Sequence, residues 1–124
     1  MIQQLPELVN ANAALVRRGQ WLNAVMLLGI GDQNWLVTFE AGRIASCVRE
    51  DLRVSACDFA ILGTEDAWRA FWQEMPPPMH HDLHALIRVG KVRLEGDIDL
   101  LLGNMLYLKI VLETLRGHIS EEAA

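Results

Sequence analysis

Asp97-Ile98-Asp99-Leu100-Leu101-Leu102-Gly103-Asn104-Met105-Leu106-Tyr107-Leu108-Lys109-Ile110-Val111-Leu112-Glu113-Thr114-Leu115-Arg116 dictates how the rest of the chain has to be arranged. Ile98, Leu101, Met105, Leu108, Leu112 and Leu115 recur at alternating steps of three and four, the seam of an amphipathic helix. Leu100, Leu102, Leu106, Ile110 and Val111 widen that seam, which leaves Asp99, Lys109, Glu113 and Arg116 as most of the polar face. Lys109 and Glu113 are spaced to pair at i, i+4. The pattern predicts one helix from a cap at Asp97 to about Arg116, stopped by Gly117 and about 28 Å long at 1.5 Å per residue. So apolar a helix needs cover from a sheet and from something else: a bound lipid, a neighbouring helix or another subunit.

Working towards the N-terminus, Lys91, Arg93 and Glu95 alternate with Val92 and Leu94, a half-buried strand closed by Gly96. Met79, Leu83, Leu86 and Ile87 predict a short helix ending at Gly90. Pro76-Pro77-Pro78 separates it from a helix capped by Thr64, with Glu65 and Asp66 in its first turn and Ala67, Trp68, Phe71, Trp72 and Met75 on one stripe. Before Thr64 the period is two. Phe59 and Ile61 mark one strand, and Ile44, Ser46 and Val48 alternate with Arg43, Ala45 and Cys47 in another. An Ala41-Gly42 turn joins the latter to Trp35, Val37 and Phe39, and 29–34 form a turn after a strand over 20–28 that is apolar on both faces. These strands predict a four-stranded meander, with the charged 49–53 segment as a solvated loop. Pro6, Leu8, Val9, Leu15 and Val16 predict an N-terminal helix stopped by Arg17, Arg18 and a left-handed Gly19.

The 124 residues carry 11 Lys and Arg against 16 Asp and Glu, a formal charge of −5. That sign opposes binding to a phosphate backbone, so no nucleic-acid partner is expected. No apolar run reaches the roughly 18 residues a span requires, and no secretory signal opens the chain, so a soluble cytoplasmic protein without integral membrane insertion is expected. Cys47 and Cys57 are then reduced, and parity puts them on opposite faces, Cys47 away from the Trp35 side.

Chemistry-bearing patterns are sparse. His80, His81 and His84 with Asp82 are the one cluster spaced to converge on a metal if they share a helix, yet Arg88 follows on the same side and the glutamate of an H-E-x-x-H motif is missing. Ser46 and Ser55 lack a nucleophile-elbow setting, and Gly29-Ile30-Gly31 lacks the third glycine of a dinucleotide fingerprint. No catalytic residue, metal ligand or cofactor is assigned.

The segments Phe59-Ala60-Ile61-Leu62-Gly63-Thr64-Glu65-Asp66-Ala67-Trp68 and Ala85-Leu86-Ile87-Arg88-Val89-Gly90-Lys91-Val92-Arg93-Leu94-Glu95-Gly96-Asp97 resemble the sterol carrier protein 2 superfamily, over about residues 20 to 116. The G-K-V-R-L-E-G-D run of 90–97 is the most specific part, and the prolines and histidines of 76–81 depart from the family's usual loop. The resemblance implies an α/β domain of the α+β type: about five mostly antiparallel strands and about four helices around an apolar cavity for a fatty acyl chain, sterol or similar lipid, without catalytic residues or cofactor.

One domain over 1–124 is therefore expected, binding or carrying a lipid-like molecule. Parity and helical face assign Trp35, Val37, Phe39, Phe59, Phe71, Trp72, Leu101, Met105, Leu108 and Leu112 to the ligand. The alternative is a non-enzymatic interaction module whose apolar last helix forms a homodimer or docks on a larger partner.

Overall fold

Strand β1 (Asn23–Ile30) sits at the centre of the sheet and organises it. Its apolar side chains on both parities suit a strand buried on both faces, and Met26 to Ile30 are buried in succession. The computed structural model describes residues 2–50 and 57–116. Around β1 lie β2 (Gln33–Glu40), β3 (Arg43–Arg49), β4 (Phe59–Gly63) and β5 (Val92–Gly96), in the order β3-β2-β1-β4-β5. Pairing is antiparallel except between β1 and β4, which run parallel. The helices are α1 (Leu5–Asn10), α2 (Ala13–Arg18), α3 (Glu65–Phe71), α4 (Leu83–Arg88), α5 (Ile98–Gly103) and α6 (Met105–Glu113), preceded by a 3₁₀ turn at Ile2–Gln4. This is the α+β arrangement expected, with a mixed, mostly antiparallel sheet.

The meander stops at three strands. β4 joins the far side of β1 in place of β3, and Asp58 explains how it is held there. Its carboxylate accepts from Val25 N at 2.8 Å, its own N–H donates to Val25 O at 2.8 Å, and its carbonyl accepts from Asp97 N at 2.8 Å. One residue thus ties β1, β4 and the start of α5 together. Gly96, at φ +90°, makes the last of these contacts possible, because a Cβ there would lie 2.7 Å from the Asp58 carbonyl oxygen.

Two strand boundaries move. β1 runs on through Gly29 and Ile30, so only Gly31 and Asp32 form the turn before Gln33. The register of β2 on β3 shifts between Thr38 and Phe39, pairing Phe39 with Ile44 but Val37 with Cys47. The extra residue flips the remainder of β3, which corrects the parity expected for Cys47: it shares the Val37 face, packs against the core and donates weakly to Ile2 O at 3.7 Å. Val48, now on the other face, is 52% exposed.

The expected long helices break where a side chain competes for the backbone. Asn12 Oδ1 accepts from Leu15 N at 3.1 Å, capping α2 and ending α1. At Asn104 the side chain donates to Leu100 O at 3.0 Å, while the backbone N–H turns to Leu101 O, so the terminal helix becomes α5 and α6. The seam survives the break, since Leu101, Met105, Leu108, Leu112 and Leu115 are all buried. Gly19 is not left-handed. It is small because the Tyr107 ring occupies the place of a Cβ, and the Tyr107 hydroxyl goes on to donate to Gly42 O at 2.6 Å.

α3 ends at Phe71, short of Met75, which is 85% exposed, and Met79 lies ahead of α4. Thr64, Asp82 and Asp97 cap α3, α4 and α5 as Ser/Thr/Asp residues do. The pair expected between Lys109 and Glu113 gives way to two others: Lys109 with Asp82 at 3.3 Å, and Glu113 with Arg116 at 3.6 Å. The Gly117 stop, Ser55 and the 51–53 part of the solvated loop lie outside the described residues. Among the described residues, no helix is long and apolar enough to cross a membrane.

Candidate functional site

Sheet and helices enclose one continuous core, and all ten residues assigned to the ligand belong to it: Trp35, Val37, Phe39, Phe59, Phe71, Trp72, Leu101, Met105, Leu108 and Leu112. Eight of them pack against other core side chains away from the opening described next, on which only Trp35 and Trp72 border.

That opening lies where β1 ends, β2 begins and β3 ends. It measures about 320 Å³ and has an apolar floor of Ile2, Ile30, Trp35, Trp68 and Trp72 beneath a rim of Gln3, Gln33, Arg49, Glu65 and Arg69. The volume is near the lower end of the roughly 300–1,000 Å³ of small-molecule sites, and the lining is divided evenly between apolar and polar or charged side chains. A shallower neighbour of about 360 Å³, lined by Gly31, Asp32, Thr64, Lys91 and Arg93, has no aromatic wall.

Helix α3 positions the tryptophans. Trp68 and Trp72 are four residues apart on one helical face and stack with ring centres 5.1 Å apart and planes 18° from parallel. Each indole N–H has a carbonyl: Trp68 Nε1 donates to Gly29 O and Trp72 Nε1 to Leu112 O, both at 2.9 Å. Arg116 closes the far side, its guanidinium 4.8 Å from the Phe71 ring centre while it donates to Phe71 O and His81 O. Trp35 differs. It is 6% exposed, and its Nε1 is buried with no acceptor among the described residues. Of the residues assigned to the ligand from sequence, Trp35 and Trp72 border the opening; Trp68, Ile2 and the arginines, outside that assignment, border it too. Trp68 sits on the stripe already identified from the sequence.

The histidines do not converge. His80 and His81 precede α4, so the helical spacing to His84 never arises. His80 bridges Pro78 O and Lys91 Nζ at 2.9 Å each, an arrangement satisfied when Nδ1–H donates to the carbonyl and Nε2 accepts from the ammonium. Asp82 is engaged by His84 N and Lys109. Burial pushes its carboxyl up, but those contacts outweigh it and hold the carboxyl below its usual value. Among the described residues no three His, Cys, Asp or Glu side chains are grouped to hold a metal. Burial pushes the Cys47 thiol up to about 11, so at neutral pH it is a protonated core group.

No protein-family model and no curated protein matches the chain. Solved structures do. The chain is similar to a sterol carrier protein 2 crystal structure with a TM-score of 0.75 at 17% identity, over 93% of this chain and 92% of that one. It is similar to a conserved hypothetical protein of Thermus thermophilus, described as possibly a sterol carrier protein, with a TM-score of 0.73 at 12% identity, over 93% and 83%. A UbiJ-SCP2 ubiquinone synthesis protein gives 0.61 at 15% identity, over 92% and 86%.

Proposed function

Taking as premise that the fold is that of sterol carrier protein 2, we propose that the chain binds or carries a hydrophobic ligand, a fatty acyl chain, sterol or similar lipid, between its sheet and helices. It does so without catalysing a reaction. The observation that carries this reading is the opening of about 320 Å³ floored by Trp35, Trp68, Trp72, Ile2 and Ile30, which leads directly onto the apolar core. The driving force is removal of apolar surface from water, about 25 cal/mol per Å², offset by the costs of association. The residues behind the opening, Val37, Phe39, Phe59 and Phe71 from the sheet and α3, and Leu101, Met105, Leu108 and Leu112 from α5 and α6, form the wall against which a longer chain would repack.

The homodimer reading loses its ground in the sequence, because the three-and-four seam of α5 and α6 packs on the chain's own core. Leu102 and Leu106, at 53% and 55% exposure, are what those helices leave outside.

Native mass spectrometry of the purified protein, followed by organic extraction, tests the proposal. A lipid that co-purifies and is released on unfolding supports it. A ligand-free protein that takes up no fluorescent fatty acid over a micromolar titration refutes it.

A further inference from the structure

We propose that the corner carrying Trp21, Arg17, Arg18 and Arg43 is a docking surface for an acidic segment of a partner protein. Three of the four tryptophans are core, Trp35, Trp68 and Trp72 at 6, 0 and 1% exposure, whereas Trp21 is 85% exposed. It does not hang on a slack loop. Gly19 before it is buried under the Tyr107 ring, Leu22 after it is 1% exposed, and Leu22 N donates to Gly19 O at 2.9 Å across the turn. The backbone is thus held on both sides of a large aromatic side chain left in water. An anchor already ordered in this way loses little entropy when a partner covers it.

Charge selects the partner. α2 ends in Arg17 and Arg18, and the tip of the β2–β3 hairpin seats against that end so closely that a Cβ on Gly42 would overlap Val16 O. Arg43 follows Gly42, so three exposed arginines are brought to one corner, none of them in an ion pair among the described residues. Glu40, opposite Arg43 in the hairpin, is the acid beside them, and the corner is net positive on a chain whose formal charge is −5. Tryptophan and arginine are the side chains on which protein interfaces concentrate their binding energy, and carboxylates are what a polypeptide offers to arginine. An anionic bilayer or a nucleic acid fits less well. Either presents an extended negative surface to a chain that is acidic away from this corner, and membrane binding scales with buried apolar area, of which one indole supplies little.

The test puts the photo-cross-linker benzoylphenylalanine in place of Trp21 in the full chain and, as a control, in place of Met75, which is also 85% exposed. Irradiation in cells that express the protein, digestion and mass spectrometry identify the attached segment. The expected product is one protein segment rich in Asp and Glu, cross-linked from position 21 and not from 75, and lost when Arg17→Glu and Arg18→Glu are added. A fluorescein-labelled synthetic peptide of that segment is then titrated against the chain without cross-linker and read by anisotropy. Trp21→Ala is expected to weaken its binding at least about thirtyfold, and added salt to weaken binding to the unsubstituted chain. Cross-linking that is absent or equal at the two positions, that survives the arginine substitutions, or that falls on lipid, nucleic acid or a second copy of the chain overturns the proposal. So does a Trp21→Ala protein that binds the peptide as tightly. The opening lies at the other end of β1, β2 and β3, so the carrier reading is untouched by either result.

Discussion

Trp72 and Trp35 border the same opening but meet the core in different ways. At the C-terminal end of α3 the Trp72 N–H lies on Leu112 O and Arg116 is laid across the neighbouring Phe71 ring. At the sheet corner Trp35 is 6% exposed, and its polar atom has no acceptor among the described residues. The first region is a finished core, in which every polar atom named has a partner and any change is a loss. The second is buried with one donor unmatched, which finished cores seldom leave.

Four perturbations separate the regions, the largest first. Met105→Asp, on the buried seam at the start of α6, sets an unpaired carboxylate in the core and is expected to cost about 3–5 kcal/mol or to prevent folding, read as the urea midpoint or loss of near-ultraviolet circular dichroism. Trp72→Phe removes the indole donor to Leu112 O, which keeps only the longer bond from Leu115 N at 3.4 Å, and shrinks the ring, for a loss of about 2–4 kcal/mol in the same measurement. Trp35→Phe shrinks the ring equally but removes an unmatched donor, so without ligand it is expected to cost about 1–3 kcal/mol less than Trp72→Phe. Equal losses at the two positions would mean that the Trp35 N–H is satisfied in solution and that the contrast is not real.

The smallest effect is pH-dependent. Burial pushes the Tyr107 hydroxyl up to about 12 and the Cys47 thiol up to about 11. In both cases the folded state keeps a proton that the unfolded chain gives up near its ordinary value, about 10 for tyrosine and about 8.5 for cysteine. The stability these groups contribute is therefore complete below those values and is lost as pH rises through the folded ones. Urea midpoints should fall between about pH 9 and 12. Tyr107→Phe should flatten the upper part of that fall, after costing about 1 kcal/mol at neutral pH for the bond to Gly42 O.

Much of this architecture is local and so was readable in order. The alternation of Trp35, Val37 and Phe39, the Ala41-Gly42 turn, the caps at Thr64 and Asp97, and the seam of the last helices depend on neighbours a few residues away. What escaped depends on one residue or on distant ones. A single extra residue opposite Thr38 and Phe39 reversed the parity of Cys47, and one asparagine amide divided each long helix. The parallel placement of β4 needs Asp58 to find Val25, 33 positions away, and no periodicity carries that information. For the site, burial of all ten chosen residues was legible from hydrophobic pattern. The distinction between Trp35 and Trp72 was not, because it lies in where a carbonyl happens to fall.

The Asp58 clasp also sets an order of events. The β1–β2–β3 meander closes through short turns, whereas the β1–β4 pairing must wait until the intervening chain has been brought round, and loop closure over longer distances is slower. The three hydrogen bonds of Asp58 unite those late-arriving pieces in one place. Removing the carboxylate deletes one of the three, the bond from Val25 N, and is expected to slow the docking of the second half of the sheet on β1. Hydrogen exchange would register it as a cooperative opening unit whose border runs between β1 and β4.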